Sequence, residues 1–196
     1  NKNNINTVFH CAAYKHVDYV ENNIIASIKN NILGTYNLIN VAREKNIKNF
    51  TLISTDKAVK PTSFMGATKN YSEKILLSLM QEDNDKTKYN YNIVRFGNVM
   101  KSSGSVINIF TEQISLGGPV TISDPKAERF FMTIDEASSL IIESTKLNKN
   151  KSIFLLDMGK PVLIIELAKR MIKLSGKKVF QKNDTKGSDN IEIIYT

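Results

Sequence analysis

The sequence predicts an α/β fold with a mostly parallel sheet and a second, smaller lobe beginning near residue 101. Three observations carry that expectation. Short runs rich in Val, Ile, Phe and Thr alternate with longer segments whose apolar residues recur at helical spacing, the pattern of strand–helix–strand units. Small or turn-forming residues (Ala12 and Ala13, then Pro61, Thr62 and Ser63) stand just beyond the first two runs, where strands hand over to helices. At 196 residues, 41% hydrophobic and 23% charged, the chain has a soluble globular composition and enough length to bury a core.

INTVFHCAA (5–13) reads as a buried strand running into a small-residue turn. ENNIIASIKNNILGTYNLINVAREKN (21–46) reads as one long helix, with Ile24, Ile28, Ile32, Leu38 and Val41 near helical spacing. NFTLIST (49–55) is a second strand, SFMGATKNYSEKILLSLMQ (63–81) a second helix and YNIVRFGNV (91–99) a third strand. Three strand ends then share one edge, which in an open parallel sheet is where ligands bind. After Val99 come a loop with a short helix (102–118), a short strand PVTIS, and a helix DEASSLIIESTKL (135–147) with an acidic first turn, expected to pack back on the first lobe. SIFLLDMG (152–159), a helix over about 162–174 and a last strand IEIIYT (191–196) follow, with GKKVFQKNDTKGSDN (176–190) as a polar loop.

A net charge of +8 raises the question of a nucleic-acid partner, but the lysines are scattered singly. Apart from LNKNK (147–151) there is no basic arm, and no stripe interleaved with aromatics, so no nucleic acid is expected and an anionic small substrate fits better. No apolar run approaches the roughly 18 residues of a membrane helix, and NKNNIN is neither signal peptide nor anchor, so no membrane contact by this chain is expected. The single cysteine, Cys11, excludes an internal disulfide framework and points to the reducing cytoplasm. His10, Cys11 and His16 lie close in sequence, yet three potential ligands on a strand and turn do not make a metal site, and none is expected.

The candidate chemistry lies in STDKAVKPTSFMGATK (54–69). Met65 and Lys69 share one helix face at the spacing of a Tyr-x-x-x-Lys acid/base pair, with a thioether where the phenol would stand. A thioether moves no proton. Thr55, Asp56 and Lys57 place a hydroxyl, a carboxylate and an ammonium side by side where the second strand ends. Blander readings remain open: Lys69 with Glu73 as a surface ion pair, Asp56 and Lys57 as a solvated turn, Met65 as core, and Ala12 with Ala13 as tight packing. None of the nine glycines forms a Gly-x-Gly-x-x-Gly turn, and the chain starts in a strand-like segment. An internal piece of a longer protein is expected, without the first half of a cofactor-binding domain.

In order, VFHCAAYKHVDYVENN, KNNILGTYNLINVA, LISTDKAVKPTSFMGATK, VRFGNVMKSSGSVI, GGPVTISDPKAERFFMTIDEAS and FLLDMGKPVLIIELAKRMI resemble blocks of the extended short-chain dehydrogenase/reductase superfamily. Within it they are similar to the UDP-N-acetylglucosamine 4,6-dehydratases of polysaccharide biosynthesis, the capsule and flagellin-glycosylation type. The resemblance covers nearly the whole chain, and Thr-Asp-Lys with Arg-Phe-Gly-Asn-Val is its specific part. It implies a Rossmann-like NAD-binding domain, present here as its second half over 1–100, and a substrate lobe over 101–196. The implied reaction is an internal redox dehydration of a UDP-N-acetylhexosamine: C4 is oxidised by NAD, the C5 proton is removed, water leaves C6 and the hydride returns there. The products feed surface polysaccharide or glycoprotein glycans.

By the same resemblance Lys57 removes the C5 proton, Asp56 protonates the departing C6 hydroxyl, Thr55 bonds the sugar O4 and Lys69 holds the nicotinamide ribose. A lysine base needs its pKa lowered and a carboxyl acid needs its pKa raised, shifts that a poorly hydrated pocket could provide. Ala12, Ala13, Asn31 and Ser54 would line the cofactor; Lys15, Asn98 and Arg129 would face the sugar nucleotide, Arg129 at its diphosphate. The family includes a branch with methionine at the tyrosine position, which Met65 would mark. A homo-oligomer and a parent anchored N-terminally in the membrane are further expectations. The alternatives are an epimerase of the same fold, which has no water to expel, and a nonenzymatic fragment lacking the pyrophosphate turn.

Overall fold

The computed structural model describes residues 3–81, 89–100, 102–147, 151–180 and 189–196. In chain order the elements are β1 (Thr7–His10), α1 (Val17–Asn22), α2 (Ile24–Ser27), a π-helical turn (Ile28–Leu33), α3 (Gly34–Glu44), β2 (Asn49–Thr55), a 3-10 turn (Asp56–Ala58) and α4 (Phe64–Gln81). There follow β3 (Asn90–Phe96), β4 (Asn98–Val99), α5 (Val106–Ser115), β5 (Val120–Ile122), β6 (Glu128–Arg129), β7 (Phe131–Met132) and α6 (Ile134–Lys146). The chain ends with β8 (Ile153–Leu155), β9 (Val162–Leu163), α7 (Ile164–Leu174), β10 (Lys178–Val179), β11 (Asn190–Ile191) and β12 (Ile193–Tyr195). Two compact units result, one of residues 1–96 with 137–157 and one of 97–136 with 158–196.

The first unit is built on a parallel, Rossmann-like sheet of order β1-β2-β3-β8. β2 lies in its interior, paired from Thr7↔Asn49 on one side and through Thr55↔Phe96 on the other. A parallel strand covered on both faces reads as a near-continuous buried run, and Phe50, Thr51 and Leu52 are all buried. Phe50 and Leu52 pack with Tyr91 and Ile93 of β3, Ile39 and Ala42 of α3, and Leu76 and Met80 of α4. Because the strands run parallel, β1, β2 and β3 end on one edge at His10, Thr55 and Phe96.

Two features of this unit differ from the sequence expectation. The long helix over 21–46 is interrupted: Asn22 and Asn23 donate back to the carbonyls of Asp18 and Tyr19 at 2.8 and 2.9 Å and end α1. The helix restarts at Ile24 and widens into the π turn before α3. Residues 153–155, assigned from the sequence to the second lobe, join the first sheet because Ile153 pairs with Ile93 in parallel register.

In the second unit α5 and α7 close a core of Phe110, Ile114, Val120, Ile122, Ile164, Ala168, Ile172 and Ile191. Its strands are short pairs: β5 with β12, β10 with β11, β4 with β7, and β6 with β9, of which only the last is antiparallel. Val162 and Leu163, expected to open a helix, pair with Arg129 and Glu128, so α7 starts at Ile164. The expected loop over 176–190 contains β10, and its residues 181–188 lie outside the described residues, as do 148–150 of LNKNK. Among the described residues no helix is long and apolar enough to cross a membrane.

Candidate active site

β2 leaves the sheet at Thr55, still extended at φ −142° and ψ 156°, and the chain turns at once into the 3-10 turn. Thr55 Oγ1 donates to Asp56 Oδ1 at 2.8 Å, and Lys57 Nζ donates to the same oxygen at 3.0 Å. Thr55 Oγ1 also accepts from the Lys57 amide at 3.4 Å. The three adjacent residues thus converge on one carboxylate oxygen, and the Lys57 and Asp56 side chains remain 33% and 30% exposed.

Helix α4 is pressed against this turn. Ser63 caps it, its Oγ accepting from the Gly66 amide at 3.1 Å. Asn70 Nδ2 donates to the Ala58 carbonyl at 2.8 Å. Gly66 permits the approach, since a Cβ there would lie 2.6 Å from the Lys57 carbonyl oxygen and 3.3 Å from Pro61 Cβ. Met65 is buried at 5% exposure, on the same helix face as Lys69. Lys69 Nζ donates to the Ile53 carbonyl at 2.7 Å, two residues before Thr55. Burial pulls the Lys69 ammonium down to about 8, against the opposing influence of Cys11 and Glu73.

The surface ion pair open to Lys69 in the sequence does not form. Glu73 is 2% exposed and is held by Arg95, whose Nε donates to Oε1 at 2.9 Å and whose Nη2 pairs with Oε2. Ser54 Oγ donates to Glu73 Oε1. Alternate side chains of a strand point to opposite faces, so Ser54 turns towards α4 while Thr55 does not. The Ser54 hydroxyl is thus engaged by Glu73 inside the unit.

The end of β1 is tied down by a second buried network. Asn31 Oδ1 accepts from the Tyr14 amide at 2.7 Å, and its Nδ2 donates to the Tyr14 carbonyl and to Thr68 Oγ1, each at 3.0 Å. The Asn31 carbonyl, in the π turn, accepts from Thr35 Oγ1 at 2.6 Å and from Ser72 Oγ at 2.8 Å. π turns free a carbonyl for such use and recur at functional sites. The Thr35 proton being committed to Asn31, His10 Nε2 must be the donor in its 2.8 Å contact with Thr35, which assigns the Nε2–H tautomer. Burial, and secondarily the Lys69 charge, hold the imidazole below its ordinary value. The Asn31 amide clamps the turn that carries Ala12, Ala13 and Lys15. Ala12 and Lys15 on that turn are exposed and Ala13 is half-buried.

Asn98 and Arg129 belong to the second unit. The Asn98 amide donates to the Phe130 carbonyl at 3.0 Å in the β4–β7 pair, and the exposed Arg129 donates from Nη1 to the Glu128 carbonyl at 2.7 Å. His10 faces inward while Cys11 and His16 are exposed, and among the described residues no three His, Cys, Asp or Glu side chains form a group that could hold a metal. The sequence offered Glu73 only as a partner for Lys69, and it did not bring Arg95, Thr35, Thr68 and Ser72 to these networks. Its available signal was polar residues at i, i+4 on otherwise apolar helix faces: Asn31 with Thr35, and Thr68 with Ser72.

Residues 1–194 match the family described as polysaccharide biosynthesis protein. The capsular polysaccharide biosynthesis protein CapD of Staphylococcus aureus is 52% identical over 171 residues, 87% of this chain and 28% of CapD. The probable polysaccharide biosynthesis protein EpsC of Bacillus subtilis is 50% identical over 169 residues, 86% of this chain and 28% of EpsC. A UDP-glucose 4-epimerase of Rickettsia canadensis is 32% identical over 176 residues, 89% of this chain and 50% of the epimerase. Among solved structures, Pen from Bacillus thuringiensis superposes with a TM-score of 0.85 at 35% identity, covering 98% of this chain and 57% of Pen. DesIV of Streptomyces venezuelae, a dTDP-glucose 4,6-dehydratase solved with NAD bound, shares the fold at a TM-score of 0.80 and 17% identity, over 98% of this chain and 65% of DesIV. The chain spans little more than a quarter of the length of CapD and EpsC.

Proposed function

The chain belongs to the polysaccharide biosynthesis protein family, and on that premise we propose that it carries the catalytic centre of an NAD-dependent dehydratase acting on a UDP-N-acetylhexosamine. The product is the 4-keto-6-deoxy sugar nucleotide, made in the cytoplasm by a homo-oligomer of the methionine branch. One observation carries the reading: Thr55 and Lys57 both donate to Asp56 Oδ1 at the ligand-binding edge of a parallel sheet.

NAD fits the residues at this edge. Ala12 is exposed beyond β1 and carries nothing past Cβ to hold a dinucleotide off the backbone. Lys69 spends one of its three donors on the Ile53 carbonyl and keeps the others for ribose hydroxyls. Ala12, Ala13 and Lys69 would hold the nicotinamide half. When bound, NAD supplies the oxidation at sugar C4 and the matching reduction at C6.

The chain's own residues manage the protons. Thr55 already donates to Asp56, so a proton leaving the C4 hydroxyl has a path through Thr55 Oγ1 to the carboxylate. That path needs no phenol and leaves Met65 a packing role. Asp56, once protonated, serves as the acid for the C6 hydroxyl as it departs as water. Lys57, as a free amine, takes the C5 proton and returns it to C5 when C6 is reduced, which requires it to release Asp56 Oδ1 when substrate enters. Each such transfer is worth about 10²–10⁴-fold in rate. Lys15, Asn98 and Arg129 complete the proposal as contacts to the sugar nucleotide, Arg129 offering a planar fork of donors to the diphosphate.

A second reading, epimerisation at C4, is supported by the 32% identical UDP-glucose 4-epimerase. The Asp56–Lys57 pair favours dehydration, because inversion at C4 alone expels no water. The experiment is mass spectrometry of full-length protein incubated with UDP-N-acetylglucosamine and NAD. The expected product is lighter than substrate by one water, and the Asp56→Ala/Lys57→Ala double variant forms none while still binding NAD. A product of unchanged mass, or a double variant at undiminished speed, overturns the reading.

A further inference from the structure

Glu73 is a carboxylate in the core of the first unit, and both of its oxygens are occupied. Oε1 accepts from Ser54 Oγ and Arg95 Nε, and Oε2 from Arg95 Nη2. Replacing such a buried bidentate pair by apolar residues is often neutral or stabilising, so stability alone does not explain it. Its geometry is more informative. Ser54 immediately precedes Thr55, and Ser54 and Arg95 are register partners across β2 and β3. Glu73 lies one helical turn beyond Lys69. A single carboxylate therefore ties the strand that presents Thr55, Asp56 and Lys57 to the helix that presents Lys69.

We infer that Glu73, clamped by Arg95 and Ser54, is a positioning residue that sets the spacing between the Thr55–Asp56–Lys57 cluster and Lys69 and balances the charge beside Lys69. Lys69 is faced by His10 and Cys11 from the end of β1 and by Glu73 on its own helix. With Arg95 neutralised, the whole Glu73 charge turns on Lys69; with Glu73 neutralised, Arg95 is left as a second cation nearby. The two changes push the Lys69 ammonium in opposite directions, an outcome that loosened packing does not produce.

The test uses the full-length protein and reads Lys69 directly, by acetic anhydride labelling against pH with peptide mass spectrometry. Arg95→Gln, which keeps a donor for Glu73, should raise the labelling midpoint and Glu73→Gln should lower it, each by about half a pH unit or more. Arg95→Lys should restore the wild-type midpoint. If a single variant fails to fold, Glu73→Leu/Arg95→Leu removes both charges and should melt near wild type. That double variant should lose about tenfold or more in kcat with KM nearly unchanged, as misplacement of reacting groups predicts. Midpoints that stay put or move together, or a folded double variant with wild-type kcat, overturn the inference. The kinetic arm rests on the proposed dehydration, whereas labelling needs no turnover. Opposed midpoint shifts in a protein that releases no water would retain Glu73 as positioning residue and discard the dehydratase.

Discussion

Replacing Gly66 by alanine tests how tightly α4 and the 3-10 turn of Asp56–Ala58 are fitted. In a helix the change is favourable by about 1 kcal/mol on propensity. Here the new Cβ would meet the Lys57 carbonyl oxygen at 2.6 Å, and Pro61 Cβ at 3.3 Å closes the other side. Real Cβ atoms essentially never come closer than 3.0 Å, so backbone must move by at least 3.0 − 2.6 = 0.4 Å. Overpacking of this kind costs about 1–3 kcal/mol, which leaves a net destabilisation of roughly 0–2 kcal/mol after the propensity gain. The group displaced is the backbone of Lys57 itself. If a 1 Å misplacement costs about 10²-fold, 0.4 Å costs about fivefold to tenfold in kcat. Gly34→Ala is the internal control: its Cβ would find the Lys29 carbonyl oxygen at an ordinary 3.6 Å, so it should stabilise by about 0.4–1 kcal/mol and leave kcat alone. Urea denaturation and initial rates on both variants decide. Gly66→Ala stabilising as much as Gly34→Ala, at full activity, would refute the fitted contact.

Lys69 makes stability depend on pH with a definite sign. Its folded value of about 8 lies below the ordinary 10.5, so between those limits the unfolded chain binds more protons and stability rises with pH. Denaturation midpoints measured from pH 7.5 to 10 should climb in the wild type relative to Lys69→Met; parallel curves would contradict the buried placement of the ammonium. Asn31→Ala should destabilise by about 3 kcal/mol, because burying a polar group without its partner costs about 1–3 kcal/mol and both backbone groups of Tyr14 lose theirs, while the Thr68 hydroxyl keeps only the Met65 carbonyl. Calorimetry should also show weaker NAD binding as the turn of Ala12 loosens, and unchanged stability would dismiss the clamp.

The parts of the molecule that were readable in sequence are those whose partners are near in sequence or repeat regularly. β2 was readable at 49–55 as one of the short Val/Ile/Phe/Thr-rich runs that alternate with segments of helical spacing. The Thr55–Asp56–Lys57 cluster was readable because the hydrogen bonds that join its three members span only one or two residues. What was missed depends on distant partners. Glu73 stands at pairing distance from Lys69 on one helix, and spacing alone favours that pair; Arg95, 22 residues on and delivered by β3, wins it instead. The side chains of Asn31 and Ser54 are likewise engaged by partners that spacing does not announce, Tyr14, 17 residues away, and Glu73, 19 away. The break in the predicted helix is local, at Asn22 and Asn23, but the π turn that follows it holds Asn31, which Thr68 and Ser72 engage from 37 and 41 residues along.

This division of range is also a division of labour that mutagenesis can expose. Substitutions in the short-range cluster remove hydroxyl, carboxyl or amine from a partly exposed turn and leave the core intact, so they should change rate with little change in stability. Single substitutions in the long-range networks orphan buried groups and move the elements that present the cluster, so rate and stability should fall together, unlike the paired Glu73→Leu/Arg95→Leu change, which removes both charges at once. Ser54 and Thr55, adjacent on one strand and facing opposite ways, fall on different sides of that line: Ser54→Ala leaves Glu73 short of a donor inside the unit, whereas Thr55→Val removes a hydroxyl from Asp56 at its edge.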